Sequence, residues 1–323
     1  MTDLTFIDLF AGIGGNHIAL ERNGFESVYT SEWDKNCSVV LFNNYGVEVN
    51  GDITKIDETS VPDHTLLSAG FPCQAFSISG KRLGFEDTRG TLFFDVARII
   101  KEKRPPLVLL ENVRNFASHD GGRTLEVVRT TMEQLGYTFT HQLYNASDFG
   151  VPQNRQRVFM AAIREDINNT PFVFPEPPHT AISLKDVLLP PEEVEDLVIT
   201  HRNDIVLNQA AIDKAVVVNK PIRVGHLGKG GQGERIYSDL GHAITLSAYG
   251  GGVGAKTGLY YTAGVNGDMV VRKLHPRECA RLQGFPETFQ LPNSRTQAWQ
   301  QFGNSVPVPI VEAVTKAMLH HIS

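Results

Sequence analysis

Over the first 165 residues, short apolar runs alternate with amphipathic stretches. Five runs read as strands, at 5–10, 27–31, 64–70, 107–110 and 157–163. Several are almost continuously apolar, as strands covered on both faces must be. Between them, 16–23, 35–44, 92–103 and 124–135 repeat apolar positions at helical spacing. This alternation predicts a parallel α/β sheet. Pro171, Pro175, Pro177 and Pro178 then mark a domain edge, followed by a last helical hint at 184–188.

From about 190 to 272 the pattern changes. Thirteen of the chain's 29 glycines fall between Gly225 and Gly267, and Ile236, Tyr237, Ile244, Leu246 and Tyr249 punctuate them. Strand-type residues at these points favour a small, irregular, β-rich domain over a linker. Its glycines would let backbone approach a ligand closely. After Lys273 the pattern is helical again, and 306–320 reads as a closing amphipathic helix.

Composition narrows the function classes. The net charge of -6 excludes a uniformly basic nucleic-acid binder. However, 220–281 holds nine Lys/Arg against four Asp/Glu, which suits one basic face on an acidic body. Three cysteines (Cys37, Cys73 and Cys279) give neither a disulfide framework nor a zinc spacing. A reducing cytoplasm is expected, since no secretory signal opens the chain and no apolar run approaches the ~18 residues of a membrane span.

Candidate chemistry gathers at the ends of the apolar runs. FIDLFAGIGGNHIAL, at 6–20, places a Gly-rich turn between strand and helix, where backbone N–H groups can meet a nucleotide-type ligand. His17 stands where the dinucleotide fingerprint requires Gly or Ala, which disfavours an NAD oxidoreductase. Glu32 and Asp52, near later strand ends, suit ribose hydroxyls, and Trp33 suits an adenine face; solvated loop acids are the bland alternative. GFPCQAFSISG, at 70–80, sets Cys73 in a polar loop fit for a nucleophilic thiolate, whereas Cys37 and Cys279 read as core. LVLLEN, at 107–112, ends an apolar strand in Glu111, either an acid in a cleft or a strand-terminal surface group. In QNRQR, at 153–157, Arg155 and Arg157 share one face if extended and suit a phosphate or carboxylate, or else form a surface pair.

Taken in order, FIDLFAGIGG, GFPCQAFSISG, ENV, QNRQR, RECARLQGFP (277–286) and FGNSVPVPI (302–310) closely resemble the DNA (cytosine-5)-methyltransferase family along the whole chain. The similarity extends to members specific for GCGC. It fades at 165–220, 257–271 and 287–299, and about five residues are added near 260–270. The resemblance implies a Rossmann-like, S-adenosylmethionine-dependent methyltransferase sheet with a smaller, irregular β-rich target-recognition domain. The catalytic and cofactor-binding domain is expected at 1–185 plus 300–323, the recognition domain at 186–272, and a hinge at 273–299. The final helix should return beside the first motif.

Site residues carry over from the family motifs. Cys73 would be the nucleophile and Glu111 the group at cytosine N3, with Arg155 and Arg157 positioning base or phosphate or supporting Glu111. Phe10, Gly12, Gly14, Glu32, Trp33, Asp52, Pro72, Leu92 and Asn304 match the S-adenosylmethionine pocket, whose product is S-adenosylhomocysteine; no metal is implied. Gln232, Arg235, Tyr249 and Gly252 match the recognition loops, with Ser79 and Lys81 on a catalytic loop. The segment 81–91 is expected to close over DNA. The implied partner is double-stranded DNA, met by a bacterial cytoplasmic monomer that takes the inner cytosine of GCGC out of the duplex. A restriction endonuclease could act on the same site. A tRNA cytosine-5 methyltransferase and a catalytically inactive DNA-binding protein are the alternatives.

Overall fold

The computed structural model describes residues 4–72 and 92–322. The chain divides into two units by its contacts: 1–144 with 156–176 and 310–323, and 145–155 with 177–309. The expected boundaries differ, since they leave 145–155, 177–185 and 300–309 with the catalytic domain and treat 273–299 as a hinge.

The first unit is built on a six-stranded sheet in the order β2-β1-β3-β4-β6-β5. Its strands are β1 (Thr5–Leu9), β2 (Glu26–Ser31), β3 (Leu66–Ala69), β4 (Leu107–Val113), β5 (Tyr137–Asn145) and β6 (Gln156–Arg164). β1 pairs in parallel with β2 and β3, and β3 with β4, with Leu9 opposite Ala69 and Ala69 opposite Leu110. β6 runs antiparallel to β4, one exception to the parallel pairing that the alternation predicts. The family fold is otherwise as expected: helices α1 (Gly15–Arg22), α2 (Lys35–Tyr45), α3 (Leu92–Lys103) and α4 (Arg123–Gln134) alternate with the strands.

Periodicity explains the packing. α3 buries Phe93, Val96, Ala97, Ile99 and Ile100, one helical stripe, and α4 buries Leu125, Val128 and Met132. These join Ile7, Leu67, Val108 and Met160 of the sheet in one apolar cluster. Lys101 and Lys103 stand in the last turn of α3, where the helix dipole favours cations. The strand order reverses between β1 and β3. In open α/β sheets that reversal leaves a crevice at the carboxyl ends of the strands. The closing helix, Val308–Met318, returns to α1: Asn23 Nδ2 donates to Glu312 O at 2.8 Å and to Thr315 Oγ1 at 2.7 Å.

The second unit holds a five-stranded sheet of β7 (Ile205–Leu207), β8 (Arg223–Leu227), β9 (Arg235–Ser238), β10 (Leu259–Ala263) and β11 (Met269–Arg272), in the order β11-β10-β9-β8-β7. Only β9 and β10 are parallel. Its core is small, centred on Val224, Leu227, Ile236, Leu259 and Val271. Helices α5 (Gln209–Asp213), α6 (Pro276–Gln283) and α7 (Arg295–Asn304) complete it. β11 is fastened to α6 by a buried ion pair, Arg272 Nη2 to Glu278 Oε1 at 2.7 Å.

Candidate active site and recognition surface

The turn after β1 is set by three backbone constraints. Ala11 N donates to Ser31 O at 3.1 Å, Gly14 N to Ala11 O at 2.9 Å, and Gly12 N to Glu32 Oε2 at 2.8 Å. They hold Phe10 at φ 59, a left-handed conformation that a residue other than glycine adopts at a cost of about 1–3 kcal/mol. Such strain clusters where a ligand is clamped. The other oxygen of Glu32 accepts from Asp34 N at 2.8 Å. Burial raises the pKa of this carboxyl, and the backbone donors oppose the shift. Trp33, its neighbour, is 78% exposed.

Asn50 N reaches Thr30 O at 2.8 Å, and Ser31 Oγ reaches Gly51 O at 2.8 Å, which brings Asp52 to the end of β2. Asp52 caps a 3-10 turn by accepting from Thr54 N at 3.0 Å, the main reason its pKa is lowered. Phe10, Gly12, Gly14, Glu32, Trp33 and Asp52 therefore share the carboxyl edge of β1 and β2. Pro72 follows β3 and is exposed, while half-buried Leu92 begins α3. Asn304 belongs to the second unit, where it ends α7 and is exposed.

Beneath the turn lies a polar cluster absent from the expected site. Asp8 is wholly buried; its Oδ1 accepts from Asn16 Nδ2 at 3.0 Å and from Ser68 Oγ at 2.7 Å. Burial pushes its pKa up to about 7. The one sequence signal was an acid inside the apolar run FIDLF. His17 turns inward, packs edge-on against Phe6 and tilted over Tyr45, and meets Glu21 Oε1 at 3.1 Å. Burial lowers its pKa.

At the end of β4, Glu111 Oε1 lies 3.0 Å from Arg157 Nε, and both side chains are nearly buried. Asn112 Nδ2 donates to Phe71 O at 2.8 Å. The chain leading towards Cys73 is thereby tied beside Glu111. Cys73, Ser79, Lys81 and the expected closing segment 81–91 lie outside the described residues. Arg155 takes a different place from Arg157: its guanidinium, 1% exposed, donates to the carbonyls of Leu246, Gly303 and Ser305 at 3.0, 2.9 and 2.5 Å, all within the second unit. Gln153, fully buried two residues earlier, is a further residue that the expected set omits.

In the second unit, Gln232 opens a 3-10 turn and Arg235 begins β9; both are exposed. Gly254 N donates to Gly233 O at 2.8 Å, which lays the glycine-rich segment 250–254 against that turn. Gly252, at φ 103, has only 3.3 Å between a built Cβ and Gly233 O. Gln232, Arg235, Gly252 and exposed Tyr249 thus border one surface of this unit, with exposed Lys229 on the turn just before.

The pattern of the C-5 cytosine-specific DNA methylase family matches residues 4–320. The chain belongs to that family. This methylase is 54% identical over 314 residues to the Type II methyltransferase M.HhaI of Haemophilus parahaemolyticus, covering 97% of this chain and 94% of that one. It is 42% identical to the Type II methyltransferase M.NgoBI of Neisseria gonorrhoeae, over 96% of this chain and 91% of the relative. Among solved structures, S. pombe Dnmt2 methyltransferase superposes with a TM-score of 0.73 at 19% identity, covering 98% of each chain. Spodoptera frugiperda DNMT2 gives 0.74 at 18%, over 98% of this chain and 99% of that one. Both likenesses concern the fold alone. Methylases of this family use S-adenosylmethionine. Among the described residues, no group of three or more His, Cys, Asp or Glu could hold a metal, and no helix is long and apolar enough to cross a membrane.

Proposed function

We propose that this methylase turns a cytosine out of duplex DNA, adds Cys73 to its C6 and methylates C5, with the inner cytosine of GCGC as target. One observation carries the reading. Within the first unit, the Glu111–Arg157 pair stands at the end of β4, and Asn112 fastens the Phe71 carbonyl beside it. Glu111 and the chain that runs on to Cys73 therefore leave adjacent parallel strands at one edge.

Cytosine C5 is a poor nucleophile. Addition of the Cys73 thiolate forms an S–C6 bond and moves electron density onto C5, dividing one hard step into easier ones. A proton shared between Glu111 and ring N3 stabilises the charge that develops there, and Arg157 holds the carboxyl in position. After transfer, the C5 proton leaves to a base, the S–C6 bond breaks and the thiolate is regenerated. A base within the helical stack cannot reach such a site, so extrusion costs a few kcal/mol of stacking and pairing.

S-adenosylmethionine, when bound, supplies the methyl group. The residues present fit it: Phe10 is held in its strained conformation at the strand-order reversal, Glu32 offers acceptors for hydroxyls, and a Cβ on Gly12 would meet no atom within 4 Å. Trp33 would cover an aromatic base. The first unit would carry chemistry and cofactor, the second target recognition, with Arg235 on a guanine edge and Gln232 and Ser79 in the vacated space. Lys81 and Lys229 would meet phosphates. The type II relatives favour a modification role beside an endonuclease; a monomer in a bacterial cytoplasm belongs to the same proposal.

A GCGC duplex with 5-fluorocytosine at the inner position tests the step, because fluorine cannot leave as a proton does. Wild type with cofactor should form a covalent adduct, and Cys73→Ser should form none. Absence of adduct with wild type would refute addition. Bisulfite sequencing of plasmid from expressing cells reads the target; methyl uptake by tRNA instead would move the enzyme to RNA. Arg235→Ala should weaken site choice while cofactor binding persists.

A further inference from the structure

The motif QNRQR contains more than its arginines. Gln153 and Arg155, alternate residues of one extended stretch, grip a single residue of the glycine-rich segment by both its backbone polar groups. Leu246 N donates to Gln153 Oε1 at 3.1 Å, and Leu246 O accepts from Arg155 Nη1 at 3.0 Å. Around that grip, Ala243 N donates to Pro152 O at 2.7 Å, Asn154 N to Ala243 O at 2.8 Å, and Thr245 Oγ1 to Asn154 O at 2.6 Å. The segment 152–155 thus serves as a strand partner for 243–246, wholly inside the second unit. Gln153 Nε2 also donates to Leu282 O at 2.8 Å, which anchors the grip to α6. Three residues beyond Leu246 stands Tyr249, 73% exposed, and then the glycines that lie against Gly233.

We infer that Gln153 and Arg155 are positioning residues for target recognition, fixing the register in which 246–252 faces DNA. The inference rests on the reading of that segment as a recognition loop. Its physical ground is that a glycine-rich loop loses much conformational freedom on binding, so a loop already held at its root binds and discriminates better. Both buried side chains hold backbone groups, so their effect reaches DNA through Leu246.

The test uses full-length protein with Gln153→Met, which keeps side-chain length and removes both hydrogen bonds, and Thr245→Val, which removes one bond at an exposed position. The measurements are equilibrium binding to a GCGC duplex and to one carrying a single base change, and the single-turnover methylation rate at saturating duplex. Gln153→Met should lower discrimination between the duplexes about tenfold, as the loss of one or two buried hydrogen bonds would, with the saturated rate changed less than about threefold. Thr245→Val should shift discrimination the same way, by about threefold. Gln153→Glu, which keeps an acceptor for Leu246 N, should recover part of the loss. Unchanged discrimination in a folded Gln153→Met, or a rate loss without a discrimination loss, overturns the inference. Should Gln153→Met not fold, unchanged discrimination in Thr245→Val overturns it. If wild type prefers no duplex at all, the reading of the loop has failed, and that outcome is seen before any variant is compared.

Discussion

The buried pair between Arg272 and Glu278 is the point at which the second unit can be tested most sharply. Glu278 accepts four hydrogen bonds: from Arg272 Nη1 and Nη2 at 2.9 and 2.7 Å, from Leu189 N at 2.8 Å and from His275 N at 2.7 Å. Glu278→Met removes the charge and leaves all four donors without their acceptor. Breaking a pair this buried leaves an uncompensated cation and should cost about 3–5 kcal/mol. Arg272→Met should cost about as much. Arg272→Met/Glu278→Met removes both charges, so it should cost at least about 2 kcal/mol less than the sum of the single changes, the remaining loss coming from the two orphaned backbone N–H groups. Urea unfolding followed by tryptophan fluorescence reads this unit. The chain has two tryptophans; Trp33 is exposed, while Trp299 is half-buried and donates to Leu274 O at 3.0 Å. Single changes costing under about 1 kcal/mol, or costs that add within about 0.5 kcal/mol, would refute the reasoning.

Three further outcomes follow from the geometry. Asp8 has a folded-state pKa of about 7, above its unfolded value, so the stability it contributes is complete below about pH 4 and is lost as pH rises through 7; melting temperatures of wild type and Asp8→Asn should draw together or cross over that window, and a constant difference would contradict its burial as a neutral acid. Gly14 sits at φ 85, and a Cβ there would overlap the Tyr45 ring, so Gly14→Ala should lose at least about 1 kcal/mol in thermal melts. β10 runs parallel to β9 with Leu259 opposite Ile236, which carries the 264–268 tip away from the Arg235 end of the sheet; replacing that tip by a two-residue turn should leave the methylated sequence unchanged in bisulfite reads.

The parts legible in the sequence were those whose cause is local. β1, β3 and β4 stand out because strands covered on both faces must be apolar throughout. β5, at the sheet edge, was missed because Thr138, Thr140 and Gln142 break its apolar pattern, and β7 because three residues leave no periodicity. The Gly turn, Glu32 and Asp52 were legible from their places after strands. Asp8 and Gln153 were not, since what they do depends on partners 60 and 93 residues away, Ser68 and Leu246. Arg155 and Arg157 looked equivalent as neighbours on one extended face. The structure separates them because the chain passes from one unit to the other at that point, so Arg155 is spent on carbonyls while Arg157 meets Glu111.

That passage bears on grafting. The second unit is not one contiguous insertion: besides 177–309 it includes 145–155, a short stretch whose side chains fill its interior. A chimera that transplants 177–309 alone would join a foreign 243–246 to a host 152–155 cut for another partner, leaving amides and carbonyls there without their counterparts. On the proposed reading of that unit, exchange of sequence preference between relatives should therefore succeed only when both pieces travel together.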